Sequence, residues 1–178
     1  MRKIFITTLV TFSVFLFSCG KKEKSNDSET KPELETLDMT IKFKYDHEDT
    51  FKVYYTKNSK APIDGSLMMS LPVHPSKDFQ ELTFFFPVGE NPKVIRLDVG
   101  SNQDAQNIEI KNIKITQGDI IIDNSDWISA TNWSPNEFLV LDDKTKIYNI
   151  VPIKGIKSPV FMSNVVMTEK LEKHYNIK

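Results

Sequence analysis

Two tryptophans lie in a polar stretch, residues 124–137, where aromatic rings and neutral hydrogen-bonding groups occur together outside any strand pattern. A flat aromatic ring stacks on the apolar face of a sugar, and neighbouring amides and carboxylates bind the sugar hydroxyls. The stretch therefore predicts a glycan-binding loop. Its candidate ligand-binding residues are Trp127, Trp133, Asp126, Asn132 and Asn136.

A tryptophan in a long loop can instead fill the open end of a hydrophobic core. Trp127 follows closely on the apolar run 119–123, so we expect it to start next to the sheet and to be buried. Trp133 is then the better candidate for an exposed ring. Tyr54 and Tyr148 fall on outward positions of their predicted strands and are weaker candidates for the same chemistry.

Paired carboxylates raise the question of catalysis. Glycoside hydrolysis needs two carboxyl groups about 5–10 Å apart across a cleft. Asp142 and Asp143 are adjacent in a predicted turn, so their side chains diverge into water. Asp123 and Asp126 flank the tryptophan stretch and could together help to hold a calcium ion, an alternative that the sequence leaves open. No nucleophile or metal-ligand motif accompanies either pair, and we predict a non-catalytic protein with no cofactor.

Composition excludes further classes. The 178 residues include 23 Lys and Arg against 24 Asp and Glu, so the chain lacks the basic excess typical of nucleic-acid binders. A hydrophobic content of 39% is typical of a folded domain rather than a disordered chain. A single cysteine excludes an internal disulfide framework and a cysteine-based zinc cluster.

That cysteine, Cys19, follows a short basic start and the uncharged apolar run Ile4 to Phe17. This pattern is typical of a signal peptide, and the run is shorter than the ~20 apolar residues that span a bilayer. Residues 1–18 are therefore predicted to be removed. Cleavage at another position, as in an ordinary secreted protein, and an uncleaved anchor are the alternatives.

The residues Leu16-Phe17-Ser18-Cys19-Gly20 resemble the lipobox of bacterial lipoproteins. The resemblance implies that Cys19 carries a diacylglycerol and an acylated amine after cleavage between Ser18 and Cys19, and that the protein is attached to a bacterial membrane. Two or three acyl chains anchor a protein stably, whereas one chain does not. Gly20 resembles the sorting signal for the outer membrane, with the folded domain outside the cytoplasm.

Residues 19–36 are predicted to form a tether. From Gly20 to Glu35 the chain has no aromatic residue and is rich in Lys, Glu, Ser and Asp. A coil of this length would span about 20 Å. Its lysines could also contact anionic headgroups, although a solvated linker is the simpler interpretation.

Two-residue alternation, the period of a β-strand, dominates residues 37–178. We predict ten strands, with a hairpin between Met39 to Tyr45 and Phe51 to Thr56. Pro72 places the third strand at an edge, and the doubly apolar stretch Phe79 to Val88 is predicted to be central. A bulge is expected near Asn112.

Helical spacing occurs only near the C-terminus, where Leu171 and Tyr175 are four apart and Thr168 is a plausible cap for one or two turns. Many short strands with little helix indicate an all-β antiparallel sandwich or barrel.

Within this pattern, the strand from Val94 to Val99 and the strand from Ile108 to Ile115 resemble the paired strands of galactose-binding-like jelly rolls. The resemblance covers about Met39 to Ile122. It implies a jelly-roll-like β-sandwich of eight or more strands, an architecture shared by many carbohydrate-binding modules. Such a fold does not by itself specify a function.

Together these observations predict a lipid-anchored envelope protein with a non-catalytic accessory or structural domain. The first expectation is that this domain contacts a protein partner in the cell envelope. The alternative is that it binds a glycan through a loop aromatic. An exposed tryptophan beside amides would favour the glycan, and an apolar exposed edge strand would favour the protein.

Overall fold

The structure is a computed structural model that describes residues 35–125 and 131–176. It is an all-β sandwich of two antiparallel sheets with one C-terminal helix, as the alternation predicted. The residues Cys19, Asp126 and Trp127, for which the sequence predicts roles, lie outside the described residues.

Sheet 1 has the strand order β4-β1-β6-β10-β9, and β7 also pairs with β6. Its strands are β1 (Leu37–Tyr45), β4 (Ser76–Phe85), β6 (Asn107–Gln117), β7 (Ile120–Ser125), β9 (Leu139–Asp142) and β10 (Ile147–Ile150). The long strand β6 pairs with β10 near its start and with β7 near its end.

Sheet 2 has the order β3-β2-β5-β11-β8. Its strands are β2 (Asp49–Thr56), β3 (Met68–Val73), β5 (Val94–Asp98), β8 (Trp133–Pro135) and β11 (Val160–Ser163). Strand β3 is the terminal strand, which confirms the edge position predicted from Pro72. Strand β8 lies in the stretch that the sequence analysis treated as a loop.

Strands β1 and β2 belong to different sheets, so the predicted hairpin between them is wrong. The chain crosses from one sheet to the other, and the two strands face each other through their side chains. The rings of Phe43 and Phe51 are 4.9 Å apart between centroids, as are those of Tyr148 in β10 and Phe161 in β11.

The inward side chains of both sheets form one hydrophobic core. Alternate residues of β1 and β2 are buried, since successive side chains of a strand point to opposite faces. The predicted bulge is confirmed: Lys42 pairs with Asn112 and Phe43 with Ile110, so Lys111 is the extra residue. The bulge restores Ile113 to the core face.

The expectation that β4 is a central strand is wrong, because β4 is the terminal strand of sheet 1. Phe84 points into the core and is 1% exposed, whereas Phe85 on the other face is 64% exposed. The apolar residue on the second face therefore reflects an exposed surface rather than a covering layer.

Helix α1 (Val165–Asn176) is longer than predicted and begins before Thr168. Its N-cap is Asn164, whose Oδ1 accepts hydrogen bonds from the backbone N–H groups of Val166 and Met167 at 3.0 and 3.3 Å. Met167 and Leu171 are fully buried, and the helix packs against β7 and β11.

Candidate protein-binding site

Trp133 is 0% exposed, so the expectation of an exposed ring at this position is wrong. The residue begins β8 and pairs with Ser163 of β11. Its ring is among the largest fully buried side chains of the core. Trp133 therefore fills the sandwich and offers no stacking surface to a sugar in this structure.

The two asparagines predicted to bind sugar hydroxyls form structural hydrogen bonds. Asn136 Nδ2 donates to the carbonyl oxygen of Ser158 at 2.8 Å, and its Oδ1 accepts from the backbone N–H of Val160 at 3.1 Å. Asn132 Nδ2 donates to Asp123 Oδ1 at 2.8 Å, and Asn132 is buried. The Asn136 amide therefore fixes the backbone that leads into β11, and the Asn132 amide links the start of β8 to Asp123 on β7.

The buried carboxylate of Asp123 forms an ion pair with the partly exposed Lys170. Lys170 Nζ on α1 donates to its Oδ1 at 2.8 Å, and the Asp123 side chain is almost fully buried. A lysine and an amide already compensate this carboxylate, so the arrangement serves to attach α1 to β7. Among residues 35–125 and 131–176, no cluster of three or more His, Cys, Asp or Glu side chains is placed to hold a metal ion.

Asp142 and Asp143 lie in the turn between β9 and β10. Backbone hydrogen bonds, first from the N–H of Lys144 at 2.8 Å, lower the pKa of Asp142 below its ordinary value. The Asp143 side chain is exposed. A carboxylate with a lowered pKa is a poor general acid, and this turn has the character of a solvated, capped hairpin.

The two tyrosines proposed as weaker sugar platforms are also engaged. Tyr148 is buried rather than outward-facing, and burial raises its pKa to about 12. Tyr54 lies on the outer face of sheet 2, where the Arg96 guanidinium is 5.2 Å from its ring centroid. Arg96 in turn forms a bidentate ion pair with Asp98 at 2.6 and 2.8 Å.

The exposed apolar surface lies instead on one side of the sandwich, where both sheets end. Strand β3 terminates sheet 2 and β4 terminates sheet 1, and the short turn 74–75 joins them. Among residues 35–125 and 131–176, neither strand pairs with a further strand along its outer edge, and these two edges lie on the same side. We call this surface the edge groove; it is lined by Met69, Leu71, Thr83, Phe84 and Phe85.

The edge groove is a shallow, largely apolar cleft with a volume of about 220 Å³. Its floor is the core residue Phe84, and its rim includes the exposed ring of Phe85. The groove thus offers pockets for apolar side chains directly beside two unpaired strand edges.

The free edge of β4 carries charged residues only as far as Glu81. Lys77, Asp78 and Glu81 place charges along this part, and charged residues discourage pairing with another strand. From Leu82 to Phe85 the strand has no charge and no proline. On β3, by contrast, Pro72 removes one backbone donor. Residues 82–85 of β4 are therefore the segment most open to an added strand.

Sequence reasoning missed this site because it assigned the second apolar face of β4 to a buried layer. A usable signal was present: Glu81 and Thr83 lie between Phe79 and Phe85 on the outer face, so that face is mixed rather than apolar along its length. A covered central strand would be apolar along both faces.

No helix among the described residues is long and apolar enough to span a bilayer. Comparison with protein-family models, with curated proteins and with solved structures finds no match for this chain.

Proposed function

We propose that this chain is a lipid-anchored envelope protein whose β-sandwich binds a protein partner through the edge groove. The observation that carries the proposal is the uncharged end of β4, residues 82–85, which lies beside an apolar cleft and whose outer edge pairs with no other described strand. Exposed edges of this kind invite aggregation, and proteins normally block them with charges, prolines or covering loops.

The mode of binding follows from the geometry. An extended segment of the partner would add to sheet 1 along β4 and form main-chain hydrogen bonds with it. Alternate side chains of that segment would enter the groove between Leu71 and Phe85. Main-chain pairing supplies affinity, and the apolar pockets supply specificity.

The glycan-binding alternative loses its best support, since Trp133 is buried and both Asn132 and Asn136 form structural hydrogen bonds. The edge groove is apolar and holds few hydrogen-bonding groups for sugar hydroxyls. The protein partner is therefore the function we propose.

Site-specific photo-cross-linking in living cells tests the partner. The photoreactive analogue p-benzoylphenylalanine replaces Phe85 in one variant and Val140 in the control, since Val140 is also an exposed edge-strand residue but lies on β9. We expect one protein adduct from position 85 and none from position 140. The purified partner should then bind the wild-type chain and not the Phe85→Lys variant. The same products from both positions, or none from position 85, would count against the groove.

The anchor is tested separately. Cys19→Ala should release the protein from the membrane fraction and abolish incorporation of a fatty-acid probe, because the thiol is the proposed acylation site. Ser18→Ala keeps a small residue before Cys19 and serves as the control that should stay acylated. Retention and labelling of Cys19→Ala at wild-type levels would refute the anchor.

A further inference from the structure

The described chain enters the sandwich beside the turn between β6 and β7. Leu37 at the start of β1 pairs with Gln117 at the end of β6, and Gln117 Nε2 donates to the carbonyl oxygen of Glu35 at 2.8 Å. Glu35, the first described residue, therefore lies at this end of the sandwich. We call it the entry end.

Three exposed aliphatic side chains lie at the entry end. Ile120 and Ile121 begin β7 directly after the β6–β7 turn and are both exposed, Ile121 by 58%. Val88, also exposed, follows Phe86, whose backbone N–H donates to the carbonyl of Leu37 at 2.9 Å. Turns between strands normally carry polar residues, so three exposed branched residues here call for a physical reason.

Helix α1 brings basic groups to the same place. Ile120 and Ile121 line a shallow cleft with Lys170, Lys173 and His174. Lys170 is paired with Asp123 and His174 is hydrogen-bonded to Gln117, whereas the Lys173 side chain lies at the surface.

Acidic groups are present too, since Glu35 and Asp119 are both exposed at this end. The charge is thus mixed, and electrostatic attraction to anionic lipid is weak. Any contact with a membrane would depend mainly on the aliphatic side chains.

We infer that the entry end rests on the lipid surface, with Ile120, Ile121 and Val88 inserted at the boundary between headgroups and acyl chains. This inference rests on the proposed anchor at Cys19. The sixteen residues from Gly20 to Glu35 would reach about 20 Å as a coil, which is short enough to hold this end near the bilayer. Because anchoring makes the contact intramolecular, a weak apolar contact is enough to orient the domain.

This orientation also determines which surfaces face away from the membrane. Strand β10 pairs with the start of β6, at the other end of that long strand, and β9 pairs with β10. Val140 on β9 is therefore distant from the entry end, and at 49% exposure it matches Ile121 closely. It provides a control position with a similar side chain.

The test uses the full acylated chain reconstituted into vesicles of phosphatidylethanolamine and phosphatidylglycerol. Cys19 is the only cysteine, so once it is acylated a new cysteine is the only free thiol. Ile121→Cys and Val140→Cys are each labelled with the polarity-sensitive fluorophore NBD. Val88→Cys provides a second reporter at the entry end, and thermal melting checks that each labelled chain is folded.

We expect the NBD emission at positions 121 and 88 to shift to the blue in the vesicles. We also expect lipids that carry a spin label on the acyl chain to quench it. At position 140 we expect neither effect. Equal, weak quenching at all three positions in chains that stay in the vesicles overturns the inference and leaves the anchor intact. In cells, the fluorophore at position 121 could instead be protected from quenching by aqueous iodide and also not be quenched by spin-labelled lipid. That result assigns the surface formed by Ile120, Ile121 and Val88 to contact with a protein, and it also overturns the inference. A chain that carries no lipid at Cys19 and does not bind the vesicles overturns both proposals.

Discussion

Adjacent phenylalanines on β4 give a direct test of the strand's position. Phe84 is 1% exposed and belongs to the core, whereas Phe85 is 64% exposed at the rim of the edge groove. Replacing each by alanine removes the same atoms from one strand, so the strand propensities and the unfolded states change almost equally. The difference between the two variants in the free energy of unfolding then reports how deeply each ring is buried.

The magnitudes follow from the structure. Truncating a fully buried phenylalanine removes its transfer free energy and leaves a cavity, so Phe84→Ala should cost about 3–5 kcal/mol. For Phe85 roughly a third of the side-chain area is buried, and at about 25 cal/mol per Å² its loss should cost at most about 1.5 kcal/mol. The midpoint of thermal unfolding should fall by about 3 °C per kcal/mol in a domain of this size.

Urea unfolding of a soluble chain that begins near Glu35, followed by circular dichroism, measures both variants. The slope of the free energy against urea should be the same in both, so that midpoints can be compared. Equal losses, or a larger loss for Phe85→Ala, would refute the assignment of β4 as an edge strand with Phe84 inward.

Three further predictions concern other residues. Trp133→Ala should lower the free energy of unfolding by about 3–5 kcal/mol in the same assay, because the ring is buried; unchanged stability would contradict its place in the core. Asp49 accepts hydrogen bonds from the backbone N–H groups of Ser101 and Asn102 and from the Tyr45 hydroxyl. Asp49→Ala should therefore lower the free energy of unfolding by about 2–4 kcal/mol, and Asp49→Asn by less, since an amide oxygen still accepts hydrogen bonds. Equal melting temperatures of Asp49→Ala and the wild type would show that these bonds contribute little. Burial raises the pKa of Tyr148 to about 12, above the ordinary value near 10. The stability that its neutral phenol contributes is therefore complete below pH 10 and is lost as the pH rises to 12. Tyr148→Phe should therefore reduce the fall in unfolding free energy by up to about 1.4 kcal/mol per pH unit in that interval, and an identical pH profile for the variant would contradict the burial of the phenol.

The strand pattern could be predicted from the sequence because it depends on local spacing. Alternation identified nearly every strand, and the change of parity between Ile110 and Ile113 predicted a bulge near Asn112, one residue from the extra residue Lys111. The partners of each strand could not be predicted in the same way. The short connection 46–48 is compatible with a hairpin or with a crossing to the second sheet, and the choice is made by β4 and β6, which pair with β1 from distant parts of the chain.

The candidate site was harder to predict for a related reason. Asparagine and aspartate beside tryptophan indicate a sugar site only if their side chains are free, and the same residue types also fix loops by bonding to the backbone. In this chain Asn136 does so across 22 residues, to Ser158. An apolar residue on the outer face of a strand is likewise compatible with a covering layer or with an exposed interface. Only the tertiary arrangement separates these alternatives.

The passage of the chain between two sheets has a consequence for how the protein folds. Strand β1 lies between β4 and β6, so Met39 pairs with Phe84 and with Ile115, both far along the chain. Neither neighbour is available when β1 first emerges during synthesis. Such non-local pairing is slow, with time constants of roughly milliseconds to seconds, because long loops must close before contacts form. During that delay β1 is an unpaired strand with one apolar face, and a chaperone that holds extended segments would be of most use at this stage.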